Sequence, residues 1–373
     1  MATPADIRIP ADLLPSDGRF GCGPSKVRVE ALEALAATGA DLLGTSHRKP
    51  TVKAEVQRLR EGMADLFSLP DGYEVLLAPG GATAFWEMAT FGIVRDRSRH
   101  YDFGEFSSKF AKATTAAPFL ADPDVISSPP GTRPEVSAVE GVDVQALTHN
   151  ETSTGVMMDV TRPAGEALVL VDATSGAGGL PVDVAQSDMY YFSLQKGFAA
   201  EGGLAVVLTS PAAVARIEEI AASDRYIPAY LSLQTALDNS RKQQTYNTPA
   251  LSTVFLAAEQ VDWMLAEGGL DAMVAAGREK ADHMYGWAES RDWASPFVAD
   301  PAARSLVVAT IDIADEVSAD DINAALRANG ILDTDAYRKL GRNQLRIGMF
   351  PAVTADDIRA YTACVDHVVA ALG

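Results

Sequence analysis

Cysteine is scarce in this chain: two in 373 residues, Cys22 and Cys364, far apart. They match no zinc spacing and no disulfide framework, so neither a metal-stapled nor a disulfide-stapled scaffold is expected. Positive charge is also in deficit. Lys and Arg total 31 against 50 Asp and Glu, a formal charge of −19. Nucleic acid and anionic membrane surfaces are therefore poor partners. No apolar run approaches bilayer length. The opening MATPADIRIPADLLP lacks the basic start and apolar core of a secretory signal, so a cytoplasmic protein is expected. There is no internal repeat and no low-complexity tract.

What is present is ordinary for a soluble enzyme, with 47% apolar and 22% charged residues. The length exceeds what one core normally serves, so two domains are the default. A protein this acidic that takes an anionic ligand must build a local positive pocket. Two basic clusters offer one: Thr45-Ser46-His47-Arg48-Lys49, and Arg338, Lys339, Arg342 and Arg346. Each also admits the plainer reading of a solvated face.

Val52, Val56, Leu59, Met63 and Leu66 recur at helical spacing over 51–69. A short strand Tyr73–Leu77 follows, then Pro79-Gly80-Gly81-Ala82-Thr83, then a helix opening at Ala84. Strand, glycine turn and helix form an anion site when backbone N–H groups and the helix dipole face the loop. Alone, such a loop is as readily a plain βα turn. Further strands are expected at His100–Phe103, Val144–Thr148, Ala167–Val171, Met189–Leu194 and Leu204–Leu208. Their alternation with helical segments predicts a mostly parallel sheet sandwiched by helices. One long helix over 258–285 leads to a small α+β unit. In it, strands Ser305–Ile311 and Gln344–Met349 flank a helix Ala319–Ala328, and a terminal helix is capped by Thr354.

The stretch DMYYFSLQKGFAAEGGL at 188–204 places Lys196 at the lip of a buried strand. Asp172 sits at the tip of the preceding apolar strand, Val169-Leu170-Val171. Two neighbouring strand tips then bring a carboxylate and an amine to one rim of the sheet, where open α/β sheets bind ligands. With the glycine loop and Asn150-Glu151-Thr152, this set suits pyridoxal 5′-phosphate. That cofactor needs a lysine for its aldehyde, an acid for its ring nitrogen and N–H donors for its phosphate.

Read together, Gly23-Pro24-Ser25, Ser46-His47-Arg48, His149-Asn150-Glu151-Thr152, Val171-Asp172-Ala173-Thr174-Ser175, Ser193-Leu194-Gln195-Lys196-Gly197, Tyr246-Asn247-Thr248-Pro249 and Leu345-Arg346-Ile347-Gly348 make the chain resemble the fold-type I aminotransferases of the group that contains phosphoserine aminotransferase. The likeness covers nearly the whole chain. It implies an N-terminal segment (1–18), a large cofactor-binding domain (19–266) and a small C-terminal domain (267–373). It implies that Lys196 forms the Schiff base and later moves the substrate proton, and that Asp172 pairs with the pyridinium. It also implies that Ala82, Thr83 and Gln195 serve the cofactor phosphate, that Thr152 bonds near the phenolate oxygen and that Phe106 stacks on the ring. Asn247 and Thr248 would reach the cofactor phosphate of a partner subunit, in a homodimer. Arg346 would hold the substrate α-carboxylate. His47 and Arg48, with Arg342 or Lys339 beside it, would hold the second anionic group.

The implied reaction is ping-pong amino transfer between O-phospho-L-serine and 2-oxoglutarate, in serine biosynthesis. The phosphorylated hydroxythreonine step of pyridoxine synthesis stays open beside it. Three departures touch the substrate side: the short loop Gly80-Gly81-Ala82-Thr83, Phe106 where tryptophan is frequent, and Gly341 where histidine often precedes the arginine. The nearest rival is an aminotransferase for alanine, serine or glyoxylate, whose substrates leave the basic pocket without a purpose. A cysteine desulfurase is disfavoured by the placement of Cys22 and Cys364. A binding protein without catalysis is the rival from another class. A nucleotide-binding enzyme fails for want of a P-loop lysine and a dinucleotide fingerprint.

Overall fold

The computed structural model describes residues 3–373. Twelve strands are formed among the described residues. β1 is Glu74–Pro79, β2 Ser98–Asp102, β3 Asp124–Ser127, β4 Val144–Thr148, β5 Asn150–Glu151 and β6 Val156–Met157. β7 is Leu168–Asp172, β8 Met189–Ser193, β9 Leu204–Thr209, β10 Ala294–Pro296, β11 Val308–Ile313 and β12 Gln344–Gly348. The α-helices are α1 Val29–Ala37, α2 Pro50–Leu66, α3 Gly81–Gly92, α4 Ser107–Ala116, α5 Pro211–Ala221 and α6 Leu233–Ser240. They continue with α7 Leu251–Ala266, α8 Gly269–Glu289, α9 Ala319–Ala328 and α10 Ala355–Leu372.

Seven strands make the main sheet, in the order β1-β9-β8-β7-β4-β2-β3. Only β9 runs against its neighbours, so the sheet is mostly parallel. Its central strands β7 and β8 are buried at every position, and their side chains divide by parity between two cores. Val169, Val171, Tyr190 and Phe192 meet Val56, Leu59 and Met63 of α2 and Val254, Val261 and Met264 of α7. Leu168, Leu170, Met189 and Tyr191 meet Phe85, Met88 and Ala89 of α3, with Ile217 of α5 and Leu237 of α6. The apolar runs thus have helices on both faces, as their composition predicts.

A second sheet, β10-β11-β12, is antiparallel and packs with α8, α9 and α10 around Ile322, Leu345, Ile347, Ile358, Tyr361 and Val365. Thr354 caps α10: its Oγ1 accepts from the Asp357 N–H at 3.0 Å. Ile9, Phe20 and Cys22 join this same core. Ser16 is fastened to it by a 2.7 Å bond from its hydroxyl to Asp357.

Three expectations shift in detail. The helix expected from Ala84 begins at Gly81, because Gly80 and Gly81 lie at φ 83° and 69° and complete the turn by themselves. β1 runs on through Pro79, which pairs with Leu204; proline is tolerated there because β1 is an edge strand. The single helix expected over 258–285 is two, α7 and α8. The break falls at Gly268 and Gly269, at φ 108° and 75°.

Candidate active site

The parallel strands end on one rim, and the chemistry gathers there. Thr148, last in β4, is in register with Asp172, last in β7, and β7 pairs with β8, which ends at Ser193. The chain then turns through Leu194 and Gln195 to Lys196. A cavity of about 290 Å³ opens at this rim, and Lys196 and Asp172 both line it. Ala82, Thr83, Phe106, Thr152, Gln195 and Arg346 line it too.

Lys196 is 93% buried by its residual exposure of 7%. Its Nζ donates to Thr152 Oγ1 at 2.9 Å. Thr152 Oγ1 in turn donates to Ser175 Oγ at 2.8 Å, and Ser175 Oγ to the Asn150 carbonyl at 2.9 Å. Burial lowers the Lys196 amine to about 8; the charge of Arg346 adds to this, while Cys22, Asp172 and Glu151 pull the other way. At neutral pH roughly a tenth of such amines are free base, against well under a thousandth for an ordinary lysine. The Phe106 ring lies across this amine, its centroid 5.3 Å from Nζ.

Asp172 is held by two donors. Trp86 Nε1 donates to Oδ2 at 3.1 Å and the Thr174 N–H to Oδ1 at 3.0 Å. Burial pushes the carboxyl up, and these donors with the Lys196 charge oppose it. A cationic ring nitrogen beside Asp172 would complete that balance in favour of the ionised form. The sequence reading passed over Trp86. It sits one helical turn beyond Ala82 on α3, so it shares the face that looks into the cavity. Tyr337, which no motif marks, also lines the cavity, as do Ser175 and Ser193 from within the quoted motifs.

Several polar groups here have no protein partner. Asn150 Oδ1, Gln195 Oε1 and Arg346 Nε are buried and unpaired. Such groups cost about 1–3 kcal/mol each unless a ligand or water satisfies them. Gly80, which stands at the N-cap of α3, has no side chain to cap it. Ser193 Oγ accepts the Ala82 N–H at 2.7 Å, fixing the start of that helix over the cavity. The N-terminus of a helix suits an anion, an amine with its pKa brought down to about 8 suits an aldehyde, and a donor-held carboxylate suits a cationic ring. Pyridoxal phosphate needs this set, and the residues fit it.

The basic residues fall into three places. Arg346, on β12, reaches the cavity with its Nη1 3.3 Å from the Thr152 carbonyl and its guanidinium 5.3 Å from the Tyr337 ring centre. It has no acidic partner among the described residues. Arg342 lies instead in the adjoining groove, doubly bonded to Asp312 at 3.0 and 2.5 Å and stacked 4.5 Å from Phe297. Lys339 is paired with Glu105. His47, Arg48, Asn247 and Thr248 do not line the cavity. They meet on a separate surface, where Thr248 Oγ1 and His47 Nδ1 are 3.0 Å apart. Cys22 does line the cavity, but burial raises its thiol, which keeps it protonated and a poor nucleophile.

Comparison with known proteins agrees with this geometry. The family description "Aminotransferase class-V" matches residues 135–358. A phosphoserine aminotransferase of Nocardioides sp. is 60% identical over 367 residues, covering 97% of this chain and 98% of that protein. One of Corynebacterium glutamicum is 57% identical over 362 residues, covering 96% of each. In fold, the chain is similar to the phosphoserine aminotransferase structure from Bacillus circulans subsp. alkalophilus, with TM-score 0.84 at 23% identity over 96% of this chain and 99% of that one. The catalytic rim and the kinship lead to one place: the chain belongs to the phosphoserine aminotransferase family of the class-V aminotransferases.

Proposed function

We propose that the cavity transfers the amino group between O-phospho-L-serine and 2-oxoglutarate, with Lys196 and Asp172 at its centre. The chain is a pyridoxal-phosphate-dependent aminotransferase of fold type I. The observation that carries the site assignment is the buried amine of Lys196, brought to about 8 and set 2.9 Å from Thr152, on the rim that also holds Asp172. When bound, pyridoxal phosphate supplies an aldehyde that takes up amino groups and a ring that withdraws electrons. Around it, Ala82, Thr83 and Gln195 would hold the phosphate, Asp172 the ring nitrogen, Thr152 the phenolate side and Phe106 the ring face. Arg346 would grip the α-carboxylate of either amino acid with its paired N–H groups. Lys196 Nζ would take the proton from the substrate's Cα.

The second anion of phosphoserine or glutamate would lie toward Arg342, which must share its guanidinium with Asp312. His47 and Arg48 would come from a partner subunit, together with Asn247 and Thr248. The bond between His47 and Thr248 makes these four one exposed unit, and exposed Leu32, Leu43, Tyr230 and Tyr246 supply apolar area for a homodimer. No described helix is long and apolar enough to cross a membrane.

The test is a coupled assay of glutamate with 3-phosphooxypyruvate, run beside alanine with glyoxylate. Turnover at least about a hundredfold higher (kcat/KM) with the phosphorylated pair is expected, a difference of roughly 3 kcal/mol for a paired anion. Equal or better use of alanine and glyoxylate would give the site to the rival reaction.

A further inference from the structure

We infer that Glu151 is a positioning residue: its buried carboxylate ties the segment that carries Phe106 to the segment that carries Thr152, and so sets both against Lys196. The inference rests on the reading of the cavity as the cofactor site.

Alternation along β5 gives the starting point. Asn150 and Thr152 face the cavity, and Glu151 between them turns the other way, beneath the start of α4. There it is fully enclosed, at 0% exposure. No lysine or arginine pairs with it in the structure; five neutral donors hold it instead. Oε2 accepts the N–H groups of Phe106 at 3.0 Å and Ser107 at 2.9 Å, and the Ser107 hydroxyl at 3.1 Å. Oε1 accepts the Ser153 N–H at 3.2 Å and the Ser153 hydroxyl at 2.7 Å. One oxygen therefore grips the backbone of the ring-bearing residue. The other grips the residue next to Thr152, whose hydroxyl receives the Lys196 amine.

Burial pushes the Glu151 carboxyl up and the Ser107 and Ser153 donors oppose this; packing leaves the group no slack. Gly104 passes so close that a Cβ there would stand 2.4 Å from Glu151 Cγ and 2.8 Å from Ser153 Oγ. A merely stabilising helix cap would sit at a surface and accept one or two N–H groups. Glu151 is buried in the wall of the site and joins two segments that are distant in sequence. Without its charge, the donors of Phe106, Ser107 and Ser153 lose an acceptor matched to them on both sides. The ring and the hydroxyl then drift independently.

The test compares Glu151→Gln, Ser153→Ala and Gly104→Ala with the wild-type chain. Two measurements are made: amide hydrogen exchange of the apoprotein, and equilibrium dialysis of pyridoxal phosphate. Glu151→Gln should speed exchange at Phe106, Ser107 and Ser153 at least about tenfold with the sheet strands unchanged, and weaken cofactor binding about ten- to a hundredfold. Gly104→Ala, which leaves the charge and displaces it, should do the same. Ser153→Ala, the mildest variant, should shift both in the same direction by about threefold. Phe106→Leu should weaken binding in the wild-type background and add little in Glu151→Gln, because the ring is already released. Wild-type exchange and affinity in Glu151→Gln would overturn the inference. So would faster exchange across the whole molecule with Phe106→Leu fully additive, since Glu151 would then only stabilise the fold; Ser153→Ala decides the matter if Glu151→Gln does not fold. If the wild-type chain takes up no cofactor, the reading of the cavity falls, and the exchange data alone decide whether Glu151 holds the two segments.

Discussion

Two groups of polar residues stand in contrast in this molecule. Lys196, Thr152 and Ser175 are buried and bonded in series on the rim of one sheet, and Asp172 is held there by Trp86 and Thr174. His47, Arg48, Asn247 and Thr248 lie outside that cavity, with His47 and Thr248 joined by a 3.0 Å bond. The first group lines one cavity of the chain, and the second, in the proposed homodimer, would act in the cavity of another copy. Burial marks where chemistry is prepared. On the dimer reading, a polar cluster outside the cavity is where a second copy would add its residues.

The contrast breaks most sharply in mixed dimers. Lys196→Ala should abolish amino transfer, and Thr248→Glu, which sets a carboxylate where the partner's phosphate would rest, should lower it about a hundredfold or more. Mixing the two at equal amounts should restore about a quarter of wild-type activity, because half the dimers are hybrids and each hybrid has one intact site. Subunit-mixing kinetics of transamination measure this directly. No recovery would place both groups in the service of one chain.

The next largest effect separates two arginines four positions apart. Arg346 has no acidic partner among the described residues and leaves its Nε free in the cavity, whereas Arg342 already holds Asp312. Arg346→Ala should raise KM for every amino acid about a hundredfold or more, by removing a charge-assisted double bond. Arg342→Ala should raise it only for substrates with a second anion, by about tenfold, since the guanidinium is shared. Steady-state kinetics with phosphoserine, glutamate and alanine sharpen the comparison. An equal penalty on alanine from Arg342→Ala would move that residue out of substrate recognition.

Within the cavity, Trp86→Phe keeps the ring and removes one N–H from Asp172 and Tyr191. Cofactor affinity should fall about tenfold, the value of one hydrogen bond to a charged group. Titration of the apoprotein with pyridoxal phosphate checks it.

These cases also show what the sequence can display. Asp172 and Lys196 stood out because each is a lone charge after an unbroken apolar run, and the ends of β7 and β8 do bring both to one cavity. Trp86, Ser175 and Tyr337 gave no such warning. An aromatic in an apolar helix and a serine in a turn look the same wherever they point; only the packing of α3 against the rim and the return of the small unit over it give them a role. The break between α7 and α8 was written as Gly268-Gly269, yet helical spacing continues across it and hid the stop. The attachment of Ile9, Phe20 and Cys22 to the C-terminal core is a long-range contact, which no local pattern carries.

The last and smallest effect concerns stability. Burial lowers the Lys196 amine from 10.5 to about 8, so the folded chain binds this proton less tightly than the unfolded chain does. The penalty is fully present below pH 8 and fades as pH rises toward 10.5. In that window the apoprotein gains stability with pH, up to about 3 kcal/mol from this group alone. Lys196→Met, of similar volume, removes the penalty and also the bond to Thr152, which offsets about 1–2 kcal/mol. At pH 7 the inactive variant should therefore unfold at higher denaturant than the wild type, by about 1 kcal/mol in urea titrations, with the advantage gone above pH 10. Thr248→Ala, on the exposed surface, should change neither value by more than about 0.5 kcal/mol. A buried functional amine strains the fold that holds it, and a residue waiting for a partner does not.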